Sequence, residues 1–262
     1  METLKVLNDF YSNYDEEGRL LSRHGRVEYL TTMRYVDKYL RPGMRVLEIG
    51  AATGRYSHAL ARLGYRVDAV ELVQHNIDIF REKTEPSEDV TIRQGNALDL
   101  YFFENDTFDV TLLLGPMYHL FTVADQKRAL EEAIRVTKRG GILFAAYCGN
   151  EATMVQYCFG RGMIMDPHLR SLIDPVTFKA SSDPAELFQL YRKEDIDALM
   201  AGFQVERLHY VGTDMATNYM RPVIDEMEDE LFELYLNYHF AICERADCVG
   251  TSHHILDVFR KL

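Results

Sequence analysis

The chain has 262 residues but only four cysteines, Cys148, Cys158, Cys243 and Cys248, and no Cys-x-x-Cys pair. Their spacing suits neither a structural zinc site nor a disulfide framework, and a chain of this size buries a core without staples. They read as reduced thiols of a cytoplasmic protein. Long apolar runs are also missing, and none approaches the ~20 residues that a membrane span requires. The opening Met-Glu-Thr-Leu-Lys has no basic segment followed by an apolar core, so no secretory leader is expected. Positive charge is scarce: 29 Lys and Arg stand against 41 Asp and Glu, a net charge of -12. An acidic surface repels phosphate backbones, and Lys and Arg nowhere cluster beyond two or three residues. Nucleic acid is therefore a disfavoured partner. Internal repeats and low-complexity tracts are absent.

Hydrophobic residues make up 47% of the chain, enough for one large α/β domain with an insertion or for two small domains. The organising stretch is 44–56. The apolar residues Val46, Leu47 and Ile49 lead through Glu48 to Gly50-Ala51-Ala52-Thr53-Gly54, and a helical pattern follows with Tyr56, Ala59, Leu60 and Leu63. This spacing predicts a buried strand, a tight turn and a helix start. Small residues let the backbone approach a ligand, and a helix N-terminus offers free N–H groups. A nucleotide-like guest fits such a turn. A dinucleotide fingerprint is missed at Ala52 and Arg55, and the lysine of a P-loop is lacking.

Helices are predicted over 26–40, 54–63, 75–85, 123–138, 191–200 and 222–245. Strands are predicted over 45–49, 65–71, 90–94, 108–114, 142–147, 202–211 and 253–260. This alternation predicts helices packed on a mostly parallel sheet. The strand at 90–94 alternates in polarity as an edge strand does, and the one at 108–114 is apolar throughout, as a central strand is. Glu71 closes the second strand about twenty residues past the glycine loop, where a doubly wound sheet places a ribose-binding carboxylate. The acids at the start of the 222–245 helix suit its dipole and a solvated face without any metal. His253 and His254 are expected to point to opposite faces of the last strand and so not to chelate one ion.

On these residues the chain resembles the class I S-adenosylmethionine (SAM)-dependent methyltransferases. Their first motif is an acidic residue, an apolar residue and Gly-x-Gly-x-Gly; here Glu48, Ile49 and Gly50–Gly54 match, with Ala52 in place of the middle glycine. The resemblance gives Gly50, Ala51, Ala52 and Gly54 to the methionine end of SAM, with Glu48 orienting the loop, and Glu71 with Leu72 to the ribose. Gly95-Asn96-Ala97 stands where the family has Gly-Asp-Ala, which implies that Asn96 and Ala97 hold the adenine, with Asp99 as an alternative acceptor. Leu114-Gly115-Pro116-Met117-Tyr118-His119 is the motif beside the methyl group, with Leu114, Gly115 and Tyr118 lining the cofactor. It lacks the Asp/Asn-Pro-Pro-Tyr of amino-methylating DNA and protein enzymes and looks like the form in small-molecule enzymes. Lys138-Arg139-Gly140-Gly141 resembles the turn into the fifth strand.

The resemblance implies an α/β fold with a doubly wound, seven-stranded, mostly parallel sheet of order 3-2-1-4-5-7-6, strand 7 antiparallel. It implies a single domain over 1–262, with 1–40 as an N-terminal helical cap and 149–190 as a lid or substrate insertion. SAM is the implied cofactor, with S-adenosyl-L-homocysteine as product and no metal. The implied acceptor is an O, N or S nucleophile of a small molecule. If a base is used, Tyr11, Tyr14, His24 and His119 are the candidates, and Arg19, Arg23 and Arg26 are further lid residues. A methyltransferase acting on tRNA or protein and a non-catalytic SAM-binding protein are the alternatives. Both monomer and homodimer stay open, because the 222–245 helix can cover the sheet or form a dimer surface.

Overall fold

The structure, a computed structural model, describes residues 2–14, 16–182, 184–186 and 188–262. Helices α1 (Glu2–Tyr11), α2 (Glu16–Arg19) and α3 (Arg23–Tyr39) come first. A regular alternation follows: β1 (Arg45–Ile49), α4 (Arg55–Arg62), β2 (Arg66–Glu71), α5 (Gln74–Lys83), β3 (Val90–Gln94), β4 (Phe108–Leu113), α6 (Val123–Val136) and β5 (Thr137–Gly149). Helix α7 (Asn150–Thr153) runs into a π-helical turn, Met154–Phe159, and α8 (Pro167–Ser171) lies beyond. The chain then forms β6 (Leu190–Tyr191), α9 (Lys193–Met200), β7 (Val205–Gly212), α10 (Ala216–Tyr219), α11 (Arg221–Asp225), α12 (Asp229–Ile242) and β8 (His254–Lys261).

Successive side chains of β1 point to opposite sides of the sheet. Val46 packs with Tyr35, Val36, Tyr56 and Leu60, so α3 and α4 cover that face. Leu47 and Ile49 pack with Leu130, Ala133, Ile196 and Leu199, so α6 and α9 cover the other. Burying each such Leu, Ile or Val contributes about 1.5–3 kcal/mol. The strand order is β3-β2-β1-β4-β5-β8-β7, with β6 added at the end of β5. Strand β8 runs antiparallel to both β5 and β7, and the other pairs are parallel. This is the order that the family resemblance implies; the two-residue β6 only shifts the numbering. β3 lies at the edge and β4 at the centre, as their polarity patterns predict. The chain crosses from β3 to β4 on the far side of β1, which opens a crevice at the carboxyl ends of β1 and β4. Among the described residues, no helix is long and apolar enough to cross a membrane.

Three expectations are corrected. The helix predicted over 222–245 is two pieces, α11 and α12, and the second starts where Asp229 and Glu230 favour a helix N-terminus. The turn predicted at 138–141 lies inside β5, as a register shift against β4 with Gly140 at φ +76. His253 and His254 do not face apart. β8 begins only at His254, and the two rings meet with their Nδ1 atoms 3.5 Å apart.

Candidate functional site

The loop after β1 turns on backbone that only small residues adopt easily. Gly50 has φ +77, and a Cβ there would lie 2.7 Å from Pro116 Cδ. Gly50 and Ala51 both donate to the Val70 carbonyl, at 2.8 and 3.1 Å. Ala52 sits at φ +47 and donates its N–H to Glu71 Oε2 at 2.8 Å. Glu71 Oε1 accepts from the Val73 N–H at 2.8 Å. The carboxylate that ends β2 therefore braces the loop that ends β1. Burial raises the Glu71 pKa, opposed by the N–H groups of Val73, Ala52 and Leu72 and the side chain of Asn76. Glu48, below the loop, accepts from the Ser57 hydroxyl. Burial pushes its pKa up to about 8, against that hydrogen bond and with help from the charge of Glu71.

These groups line a cleft of about 520 Å³ at the crevice between β1 and β4. Of the residues singled out in the sequence, Glu48, Gly50, Ala51, Ala52, Glu71, Leu72, Asn96, Ala97, Leu114, Gly115 and Tyr118 stand on its walls. Gly54 stands back from it. It caps α4 at φ +89, and a Cβ there would meet Phe80 Cδ2 at 2.5 Å. Asn96 Oδ1 accepts from the Leu98 N–H at 3.0 Å. Asp99 accepts from Tyr101 N–H in the next turn and lies off the cleft. Thr53, inside the 50–54 loop, also lines the cleft, as does Asn76, which no spacing in the sequence marked.

A second cavity of about 680 Å³ adjoins the first, with Tyr11, Glu16, Arg19 and Tyr118 on the walls of both. Its apolar side is built by Phe10 and Tyr14 from the N-terminal segment and by Tyr157, Met163, Leu172 and Phe188 from the 149–190 insertion. Its polar end gathers Glu28, Asp214, His253 and His254. Asp214 Oδ1 accepts from the Ser252 hydroxyl at 2.6 Å and from the His253 N–H at 2.8 Å. His254 Nδ1 lies 3.0 Å from Asp214 Oδ2 and 3.2 Å from Glu28 Oε2. Arg19 reaches Glu28 at 2.8 Å and Glu16 at 3.1 Å. Burial works to raise the Asp214 pKa, but the hydrogen bond and charge of His254 hold it well below the usual carboxylate range. Burial opposes a cation on His254, yet Glu28 and Asp214 hold its pKa well above the ordinary value. Burial and then the charge of His254 push His253 down to about 3, so its ring is neutral.

The structure brings together two of the four base candidates. Tyr11 Oη and His119 Nε2 are 2.9 Å apart at the boundary of the two cavities. Burial, then the charges of Glu16 and Glu71, raise the Tyr11 phenol well above its ordinary pKa, so it stays a proton donor at neutral pH. Tyr14 stacks on Phe10 at 4.9 Å between ring centroids, and His24 pairs with Asp225 at 2.7 Å; both line only the second cavity. Arg23 and Arg26 face away, onto the Phe232 ring, and Arg23 pairs with Asp229 at 2.7 Å. Asp214 is a site residue that the sequence reading missed, and His253 and His254 are ones that it named but did not place in the site. They come from the last fifty residues and reach the cavity only because β8 pairs with β5.

Residues 47–145 match the model of a methyltransferase domain family. The ubiquinone biosynthesis O-methyltransferase of Methylocella silvestris is 35% identical over 127 residues, 48% of this chain and 48% of that protein. The cypemycin N-terminal methyltransferase of a Streptomyces species is 33% identical over 158 residues, 56% of this chain and 61% of that protein. The chain thus spans about half the length of the curated relatives it matches. A solved SAM-dependent methyltransferase of Thermotoga maritima, a possible histamine N-methyltransferase, has the same fold. It aligns with a TM-score of 0.58 at 19% identity, over 99% of this chain and 100% of that one.

Proposed function

We propose that this chain, which belongs to the class I, Rossmann-like SAM-dependent methyltransferases, transfers a methyl group from SAM to an O, N or S nucleophile of a small molecule. The observation that carries this reading is the pair of adjoining cavities that share Tyr11, Glu16, Arg19 and Tyr118. The first takes the donor and the second the acceptor. Both volumes suit small organic molecules.

The groups present in the first cleft fit SAM. Gly50, Ala51 and Ala52 leave room for the methionine end. Glu71, held by the Ala52, Val73 and Leu72 N–H groups and the Asn76 side chain, stands on the cleft wall and would face the ribose hydroxyls. The Asn96 oxygen, bonded once by Leu98, has a second lone pair that would accept from the adenine amino group, and Ala97 beside it on the cleft wall would hold the ring. Glu48 supports the loop from beneath. SAM, when bound, supplies a methyl group on an electrophilic sulfonium. What remains for the protein is to align the acceptor, exclude water and remove the acceptor's proton. The N-terminal segment and the 149–190 insertion close the second cavity over the acceptor. Tyr11 and His119 form the proton route: the acceptor's proton goes to Tyr11 Oη as the phenolic proton goes to His119 Nε2.

Calorimetry tests the reading. SAM and S-adenosyl-L-homocysteine are expected to bind with micromolar-scale affinity, and Glu71→Ala is expected to weaken both at least about tenfold, or ~1.4 kcal/mol. A small-molecule extract incubated with methyl-labelled SAM identifies the acceptor. His119→Asn should then lower turnover about a hundredfold while leaving SAM affinity unchanged. Wild-type protein that binds no SAM overturns the proposal.

A further inference from the structure

Where β5 ends and β8 begins, Cys148 and His254 are direct partners in the antiparallel ladder. Such partners lie on one face of the sheet. His253, just outside the strand, turns its ring onto that of His254. One ligand atom from each of Cys148, His253 and His254 then lies within 4.8 Å of the other two. His254 also belongs to a second such group, with Glu28 and Asp214.

We propose that Cys148, His253 and His254 bind one late first-row divalent cation, zinc first among them, with its open position toward the second cavity. A thiolate and two imidazoles form a known donor set of tetrahedral zinc that keeps a fourth position free. With Zn–N of about 2.0 Å and Zn–S of about 2.3 Å, a tetrahedron needs donors roughly 3.3–3.6 Å apart. The three donors, spread over at most 4.8 Å, reach this by small side-chain rotations. Asp214 holds His254 Nδ1 at 3.0 Å, which leaves Nε2 for the cation. A carboxylate behind a ligating histidine is the usual outer partner of such a ligand. Cys148 is buried, whereas both histidines line the cavity, so the cation enters from there. A hydroxyl or thiol at the open position would lose its proton more readily. That last consequence rests on the proposed function; the cation site does not.

The test uses the full chain, stripped with a chelator and titrated with cobalt(II). One cobalt per chain is expected, with the visible bands of a tetrahedral centre and a near-ultraviolet thiolate-to-cobalt band, both abolished by zinc. Cys148→Ser should remove the thiolate band, and His254→Gln should weaken binding at least about tenfold. Cys158→Ser, at a thiol in the same cavity, should change neither. If Cys148→Ser fails to fold, the wild-type spectrum still decides. Wild-type protein that takes up no cobalt, or takes it up without a thiolate band, overturns the site. SAM binding, measured separately by calorimetry, keeps the two readings apart: cobalt without SAM counts against methyl transfer, and SAM without cobalt against the cation.

Discussion

Gly54 and Gly64 both sit at φ +89, yet a Cβ meets different things at the two positions. At Gly64 nothing lies within 4 Å; at Gly54 the added atom strikes Phe80 and His58 at 2.5 and 2.6 Å. Left-handed backbone costs a side chain about 1–2 kcal/mol at either place, and only Gly54 adds overpacking, worth a further ~1–3 kcal/mol. Urea denaturation should show Gly64→Ala losing about 1 kcal/mol and Gly54→Ala at least about twice that. The sequence marked Gly54 as part of a cofactor loop. The structure places it one layer behind, as the hinge that lets α4 start against α5. Residue type and spacing were legible because a tight turn needs them. The direction in which each residue faces was not, because it depends on a helix that arrives twenty residues later.

Helix α1 carries Leu7 and Tyr11 to the first cleft and sets Phe10 edge-on to Phe188 at 6.3 Å between centroids. Among its described side chains none belongs to the two large cores on the sheet faces, whose first residue in the chain is Leu20. A chain starting at Glu16 should therefore keep the sheet, with far-ultraviolet circular dichroism close to wild type. Its SAM complex should dissociate faster, weakening affinity about tenfold, since a wall of the cleft is lost. Unchanged SAM kinetics in stopped-flow measurements would remove α1 from the site. The strands and helices of 40–150 were readable because apolar period and Gly/Pro punctuation agree there. The α11–α12 break was harder to see, since Ile224 and Phe232 keep one apolar stripe across it and both pack against Val27 on α3.

For the molecule as a whole, the buried acids set how stability changes with pH. Glu48 ionises near 4.5 in an unfolded chain and at about 8 in the fold. Between those values the unfolded chain has lost its proton while the folded protein keeps it. Stability is therefore full below pH 4.5 and falls as pH rises to about 8, by up to about 1.4 kcal/mol per unit. Glu71, also raised by burial, acts with the same sign. Calorimetric Tm should fall from pH 6.5 to 8, where the buried His253 and His239 are neutral in both states, and Glu48→Gln should flatten much of that fall. A Tm that rises over this interval would contradict the burial of a protonated Glu48. The sequence by itself determined the strands, the small-residue loop and the carboxylate at the end of β2, because each is set by local period and spacing; the sheet order followed only from the family resemblance. Only the tertiary structure decided the second cavity and the Cys148–His253–His254 cluster. Cys148 lies more than a hundred residues from the two histidines and meets them because β8 inserts antiparallel beside β5, a pairing made by long-range packing that no local pattern records.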